Sequence, residues 1–428
     1  MRILWLKSDL LLPLDKGGKL RTWHVMRHLA KRHQITYLGF ARPGEASPDV
    51  LDGMRAVATR VDTIPRTEPP KGSFRFYADV GRHLCSALPY AVGKYRSRAF
   101  ARRLNDLLSE TAFDLVVCDF LFPAVNLPAR LPCPAVIFTH NVEAEIWRRH
   151  AGTRSGIDRM LYGIQHRRML RYEARALRRF DGVLAVSEAD RRTFARVYGI
   201  SPASIHVIPT GVDTEFFTPR PSPSASRTLV FTGSMDWLPN EDAMVFFCRE
   251  ILARIRAEEP DTSVAIVGRE PTAAVRKLAN DSGVTVTGSV EDVRPFMREA
   301  AVYVVPLRIA GGTRLKIFEA LAMGKAVVST TIGAEGLPVT NGEHLLLADE
   351  PQAFARAVVR LLRDVERRRR LEDAARALVV GRYDWAAVAA QMEETLTQCA
   401  RVRSRTVVLG ESAPQPTDGI GPATQIAS

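Results

Sequence analysis

Short apolar runs alternate with longer stretches of helical periodicity along most of the chain. Ile3 to Leu6 is apolar, Asp15-Lys16-Gly17-Gly18 is a glycine loop, and a helical pattern from about Lys19 to Arg32 leads into a second apolar run, Gln34 to Phe40. Further runs at Leu115 to Cys118, Ala135 to Thr139, Val183 to Val186 and His206 to Ile208 are separated by helical segments. Strands that alternate with helices predict an α/β fold with a mostly parallel, doubly wound sheet. A Pro- and Ser-rich stretch from Pro209 to Arg227 interrupts the pattern and marks a domain boundary. The alternation then restarts. Leu229 to Thr232 is a strand, Gly233-Ser234 a loop, and Asn240 the predicted cap of a helix with Met244, Phe247, Cys248, Ile251 and Ile255 on one face. Two domains in tandem follow, over 1–217 and 218–380, with a last helix over 381–400. The tail 401–428 has few large apolar residues and reads as disordered.

One stretch carries more than packing. Tyr303 to Thr330, YVVPLRIAGGTRLKIFEALAMGKAVVST, predicts a strand, a glycine loop, a helix from about Thr313 stopped by Gly324, and a second strand. Gly311 and Gly312 leave backbone amides uncovered and Thr313 is a good N-cap, so the helix start suits a phosphate or pyrophosphate. Arg314 and Lys316 put cations in a first turn where cations are ordinarily unfavourable, which an anionic ligand would offset. Gly312, Lys316 and Glu319 share one helix face, and Glu319 lies about 9 Å along the axis from Thr313. A diphosphate at the helix start would therefore bring a ribose near the Glu319 carboxylate. An ordinary helix with a solvated Lys-Glu pair fits the same spacing.

Composition narrows the class. The chain has 428 residues, 46% hydrophobic and 25% charged, an ordinary globular balance, and no apolar run of transmembrane length. Five scattered cysteines without C-x-x-C spacing argue against a zinc site or a disulfide framework and place the protein in the cytoplasm. The formal charge of +13 is uneven: residues 1–220 hold 35 Lys+Arg against 21 Asp+Glu, and the rest 25 against 26. The first half is thus the one to meet an anionic partner. Within it, segment 145–181 carries ten arginines, with Arg168, Arg171, Arg175 and Arg178 in a stripe and Leu161, Ile164, Leu170 and Leu177 as apolar partners. That is a candidate element for an anionic membrane surface at the inner face of the cytoplasmic membrane; the plainer reading is a solvated face of a domain helix.

The segments IPTGVDTEFFTP, FTGSMDWLPNEDA, VTGSVEDVRPFMREAAVYVVPL, GGTRLKIFEALAMGKAVVSTTIGAEGL and RYDW, together with the looser DKGGKLR and FTHNVEAEIW, resemble glycosyltransferase family 4. The subgroup that looks most similar is the bacterial transferases of exopolysaccharide gene clusters. The resemblance implies a GT-B fold of two Rossmann-like domains, with the C-terminal helix crossing back to the first. It also implies retaining, hexosyltransferase-type transfer from a nucleotide-sugar donor to a glycan or polyprenyl-linked acceptor. Glu319 matches the second glutamate of the family's E-x7-E pattern, which holds the donor ribose. Lys316 and Arg314 match basic positions near the diphosphate, and Gly311 stands where the first glutamate falls. Gly311, Gly312 and Thr313 supply backbone and cap to the donor. Gly233 and Ser234 form the donor-side loop after the second domain's first strand, where Ser234 and Met235 replace the usual basic residue. Gly288 to Glu291, with Val290, lie where the family cradles the base. His140 matches a histidine near the reaction centre, and Gly17 and Gly18 a loop facing the donor phosphate and acceptor.

Stabilising the departing diphosphate by a helix start, glycine amides, Lys316 and Arg314 requires no metal or other cofactor, and the chain has no D-x-D pair. His140, Glu143 and the leaving phosphate are all candidates for the acceptor proton. Two other functions fit parts of the sequence. A nucleotide-sugar epimerase would share the fold but needs an acid/base pair at the sugar. A nucleic-acid-binding protein would use the basic first half, yet its arginines alternate with aliphatic residues and lack the aromatic interleaving such sites favour.

Overall fold

The structure, a computed structural model, describes residues 1–410 apart from 71, 75–77, 80, 82–85, 154, 220–225 and 310–314. Residues 411–428 of the predicted tail 401–428, and the predicted donor-binding residues Gly311, Gly312, Thr313 and Arg314, lie outside the described residues. Two parallel sheets organise the chain. The first is built from β1 (Arg2–Lys7), β2 (Gln34–Ala41), β3 (Arg60–Pro65), β4 (Leu115–Asp119), β5 (Ala135–Phe138), β6 (Gly182–Ala185) and β7 (Ile205–Val207), in the order β3-β2-β1-β4-β5-β6-β7. The second contains β8 (Thr228–Thr232), β9 (Ser263–Val267), β10 (Val284–Val286), β11 (Val302–Val305), β12 (Ala326–Ser329) and β13 (Leu346–Leu347), ordered β10-β9-β8-β11-β12-β13. The strand pairs in both are parallel, with registers such as Trp5↔Val117 and Tyr303↔Val327. β3 is not legible in the sequence: RVDTIP mixes polar and apolar residues because it lies at the sheet's edge and is only partly buried.

In each sheet the order reverses once, between β1 and β4 and between β8 and β11. Loops leaving the strands on either side of such a reversal diverge to opposite faces and open a crevice at the carboxyl ends. Lys7 ends β1, Asp119 ends β4 and Gly233 follows β8, so both crevices are furnished by named polar or glycine positions.

The helices that shape or support the cleft are α1 (Gly17–Leu29), α2 (Glu143–Thr153), α3 (Gly156–Leu177), α4 (Leu238–Phe246), α5 (Leu315–Ala322), α6 (Val365–Arg382) and α7 (Trp385–Gly410). α1 begins at Gly17, two residues before the predicted start, because Lys16 is the extended residue before it and both glycines enter the first turn. α4 corrects the assignment of Asn240 as a cap. Trp237 is the capping residue and Pro239 fills the first turn, where its missing N–H costs nothing, so Asn240 is inside the helix with its amide free to act elsewhere. α5 ends before Gly324, whose φ of 63° is the left-handed stop predicted for it.

α7 returns to the first domain. Trp385, Val388, Met392, Leu396 and Cys399 share a buried cluster with Ile3, Trp5, Val25, Met26 and Phe138. This corrects the expected end at residue 400: residues 401–410, assigned to the disordered tail, continue the helix to Gly410, since no Gly or Pro interrupts it before then. The two chain crossings between domains are tied together. Val212 N donates to Tyr383 O at 2.8 Å, Trp385 N to Val212 O at 3.2 Å, and the Thr214 hydroxyl to Asp384 at 2.7 Å. A Cβ on Gly211 would sit 2.5 Å from the Trp385 ring, so glycine there permits the close crossing.

Candidate active site

Asp119, at the carboxyl end of β4, is fully buried and would be costly as an ion without partners. Four side chains surround it. Lys7 lies 3.0 Å from Oδ2, Trp5 Nε1 donates to Oδ2 at 3.0 Å, and the Thr22 hydroxyl donates to it at 2.6 Å while accepting from Lys7 at 2.9 Å. His140 Nε2 lies 2.7 Å from the other oxygen, Oδ1. Burial opposes ionisation of Asp119, but Lys7, His140 and Thr22 together outweigh it and hold the carboxyl below its ordinary range. His140, also buried, moves down to about 4: burial lowers it most, Asp119 opposes this, and Lys7 and Arg21 add to the lowering. The imidazole is therefore neutral at pH 7.

Phe120 fixes the ring from one face. Its φ of 75° is unusual for a bulky residue, and its amide donates to Phe138 O at 2.9 Å, which holds the turn. The Phe120 ring consequently stacks on His140 at 4.1 Å with planes 10° apart. Gly18 adjoins both rings. A Cβ at Gly18 would stand 3.2 Å from Phe120 and 3.6 Å from His140 Nδ1.

Across the cleft, Lys316 on α5 donates to Asn240 Oδ1 at 2.7 Å and lies 4.0 Å from the centre of the Phe231 ring. Asn240 Nδ2 donates to Ser234 O at 2.8 Å, pinning the loop after β8. That loop must be glycine at 233, since a Cβ would fall 2.8 Å from Lys316 Nζ and 2.7 Å from Asn240 Nδ2. Glu319, one helical turn along α5, has its carboxyl pushed up to about 7 by burial, with Lys316 pulling the other way.

The two halves meet at a cavity of about 470 Å³ lined by Gly17, Gly18, Phe120, His140, Asn141, Thr232, Gly233, Ser234, Trp237, Asn240, Leu315, Lys316 and Glu319. His140, Lys316, Glu319, Gly17, Gly18, Gly233 and Ser234 are thus brought together from both domains. A Cβ on Gly17 would lie 3.4 Å from Leu315 Cδ1, so the first turn of α1 and the start of α5 face each other. Gly288 and Val290 are not among the lining residues; they follow β10 at the sheet's outer edge, on the same carboxyl side. Glu143 does not line the cavity either. Its carboxyl is buried near Glu173, and burial first and that neighbour second push it up to about 8. Glu173 accepts from the Glu143 and Ala144 amides at 3.0 Å each and from Tyr198 at 2.6 Å, so this pair serves the start of α2.

The sequence alone does not single out Lys7, Thr22, Asp119, Asn141 or Trp237 as site residues. A signal exists for two of them, because a charged residue closing an otherwise apolar strand, as in RILWLK and LVVCD, marks the carboxyl edge of a parallel sheet.

Comparison with known proteins supplies the family. The model described as Glycosyltransferase Family 4 matches residues 16–216, and the one described as Glycosyl transferases group 1 matches residues 226–364. A phosphatidyl-myo-inositol mannosyltransferase of Mycolicibacterium smegmatis is 31% identical over 222 residues, 49% of this chain and 55% of that protein. An MMP alpha-(1->4)-mannosyltransferase of Mycolicibacterium hassiacum is 27% identical over 230 residues, 51% of this chain and 54% of that protein. The chain therefore spans about half the length of the curated relatives it matches. In three dimensions it is similar to Anabaena Alr3699/HepE in complex with UDP and glucose, with a TM-score of 0.64, 16% identity and coverage of 93% of this chain and 100% of that one. Sucrose-phosphate synthase of Thermosynechococcus elongatus gives a TM-score of 0.66 at 17% identity, covering 96% and 100%. With two parallel-sheet domains facing each other over a shared cleft, and family models matching both, the chain belongs to glycosyltransferase family 4 and has the GT-B fold.

Proposed function

We propose that this protein transfers a hexose from a nucleoside-diphosphate sugar to a glycan or lipid-linked acceptor, with retention at the anomeric carbon and without a metal, in the synthesis of a cell-surface polysaccharide. The observation that carries the reading is the convergence of Lys316 and Glu319 from the second domain with His140 and Gly18 from the first on one cavity. Lys316 is a cation held by Asn240 where a departing diphosphate needs charge. Glu319 is a carboxyl on the cavity wall with the acceptor capacity that a ribose diol requires. The first turn of α1 presents Gly17 and Gly18 from the opposite side, adding the positive end of a second helix. A cationic sugar forming between these groups would meet an acceptor hydroxyl arriving from the first domain.

A GDP-linked donor is in keeping with the relatives, among which is a GDP-mannose-dependent alpha-(1-6)-phosphatidylinositol monomannoside mannosyltransferase of Mycobacterium tuberculosis, 29% identical over 241 residues. The UDP-bound Anabaena structure makes UDP the second base to try. Among the described residues no helix is long and apolar enough to cross a membrane. On α3 the apolar side, with Met169, Ala176 and Leu177, is buried in the first domain's core, while Arg171 and Arg175, and Arg178 just past its end, are exposed and Arg168 is half-buried. Contact with a lipid-linked acceptor would therefore be electrostatic, from a solvated arginine face, without insertion of this helix.

The test is to incubate the purified protein with UDP-, GDP-, ADP- and dTDP-hexoses and follow the released sugar by proton NMR. Slow release of the donor's own anomer from one of them is expected. Release of the opposite anomer would overturn retention, and interconversion of the intact donor would instead identify an epimerase.

A further inference from the structure

We propose that Asp119 is a positioning residue that locks His140 in the tautomer protonated on Nε2, so that Nδ1 is a hydrogen-bond acceptor offered to a sugar hydroxyl in the cleft. The functional part rests on the transfer reading above, whereas the structural part stands alone. Asp119 spends Oδ2 on three donors, Lys7, Trp5 and Thr22, and Oδ1 on His140 Nε2 at 2.7 Å. With Lys7 3.0 Å away the carboxylate is ionised and has no proton to give, so the proton between Asp119 and His140 must come from the imidazole. The second nitrogen gives the same answer independently. Nδ1 lies 3.5 Å from Nη1 of the Arg21 guanidinium, a group that only donates. One nitrogen faces an acceptor and the other a donor, and a single tautomer satisfies both.

Gly18 leaves room beside the accepting nitrogen and the Phe120 ring. It lines the cavity, and a Cβ there would lie 3.6 Å from Nδ1 and 3.2 Å from Phe120. The charged groups that face His140 are Asp119 from β4, Lys7 from β1 and Arg21 from α1, and two of the three are cations. A doubly protonated ring would join Lys7 and Arg21 against one carboxylate, which disfavours a role as a cationic ligand of the diphosphate. The remaining role for a neutral ring is at Nδ1, whose lone pair meets Arg21 only at the 3.5 Å limit of a hydrogen bond and can exchange that weak contact for a shorter one from a hydroxyl of the transferred sugar or of the acceptor. Asp119 touches no ligand in that arrangement and acts through His140 alone.

The experiment is nitrogen-15 NMR of protein labelled at histidine, with the His140 signals assigned by their loss in His140→Gln. In the wild type, His140 is expected to show a protonated Nε2 and an unprotonated Nδ1, unchanged between pH 5.5 and 8. In Asp119→Asn the amide oxygen stays with Lys7, Trp5 and Thr22, its NH2 turns toward His140, and the proton moves to Nδ1. A similar exchange in a serine protease triad is a worked precedent for loss of rate through the wrong tautomer. Nucleotide-sugar affinity should stay within about threefold while kcat falls by at least about a hundredfold. A wild-type His140 protonated on Nδ1, or on both nitrogens at pH 7, would overturn the proposal even if Asp119→Asn does not fold. A flipped tautomer with unchanged kcat would leave the tautomer lock standing and overturn the functional role. Absence of binding to any nucleotide sugar would instead strike the transfer reading and leave the NMR result unaffected.

Discussion

Lys316 Nζ lies 2.7 Å from the side-chain oxygen of Asn240, joining the first turn of one helix to the first turn of another beneath the carboxyl end of β8. The ammonium is partly withdrawn from water and sits 4.0 Å from the Phe231 ring centre, so its place is set before any ligand arrives. Preorganised charge of this kind stabilises a developing anion without further ordering at the moment of reaction.

Lys316→Ala should weaken nucleotide-sugar binding by roughly 10- to 100-fold, the value of a hydrogen bond to a charged group. Asn240→Ala, which leaves the charge but removes this hydrogen bond, should cost less than Lys316→Ala. Isothermal titration with the preferred donor orders the two, and equal losses would mean that Asn240 contacts the ligand itself.

Glu319 sets a pH dependence. Its folded-state carboxyl titrates near 7, above the unfolded value, so the protonated form is the one folding favours. The resulting stability is present below pH 4.5 and is lost as pH rises through 7. Glu319→Gln should therefore stabilise the free protein at pH 8 by about 1–2 kcal/mol, read from urea unfolding. The same variant should bind donor less well, because the ionised carboxylate accepts two hydroxyls and the amide only one. Donor affinity of the wild type should rise between pH 6 and 8.

His140 has the opposite sign. Its folded value near 4 lies below the unfolded one, so the stability it contributes is present above pH 6.5 and lost as pH falls toward 4. Substitution by Gln should flatten this part of the acid-unfolding profile, and a profile identical to the wild type would contradict the burial and pairing described.

Gly268 is held in a tight backbone contact. Its φ is 153°, and a Cβ would lie 1.7 Å from Gly233 O, joining the loops after β9 and β8. Gly268→Ala should destabilise the second domain by about 1–3 kcal/mol and displace Gly233, lowering donor affinity as well. Thermal unfolding and donor titration on one sample check both parts.

Reversing Arg171 and Arg175 to Glu should abolish flotation with anionic liposomes at low salt while leaving hydrolysis of the free nucleotide sugar intact. Flotation of the double variant at wild-type levels would exclude this face as the route by which acceptor is reached.

The legibility of each feature in the sequence depends on how local its signal is. Apolar runs of four or five residues with helical stretches between them locate both sheets, because strands buried on both faces are continuously apolar; the edge strand β3 escapes for the same reason. Lys316 and Glu319 stand out because a helix start with cations is a local oddity that spacing reveals. The partners Asp119 and Lys7 do not, since nothing around Lys7 announces a carboxylate so far along the chain; only the strand order that sets β1 beside β4 brings them together. Asn240 reads as a cap because Asn often is one, and Pro239 moves the helix start ahead of it.

Whether the cleft holds a nucleoside-diphosphate sugar between Lys316 and Glu319 is tested most directly by titrating UDP-, GDP-, ADP- and dTDP-sugars into wild type, Lys316→Ala and Glu319→Ala. Binding of at least one donor by the wild type, weakened by roughly tenfold or more in both variants, is the expected result. Wild-type binding that both variants leave unchanged, or no binding of any nucleotide sugar, would contradict it.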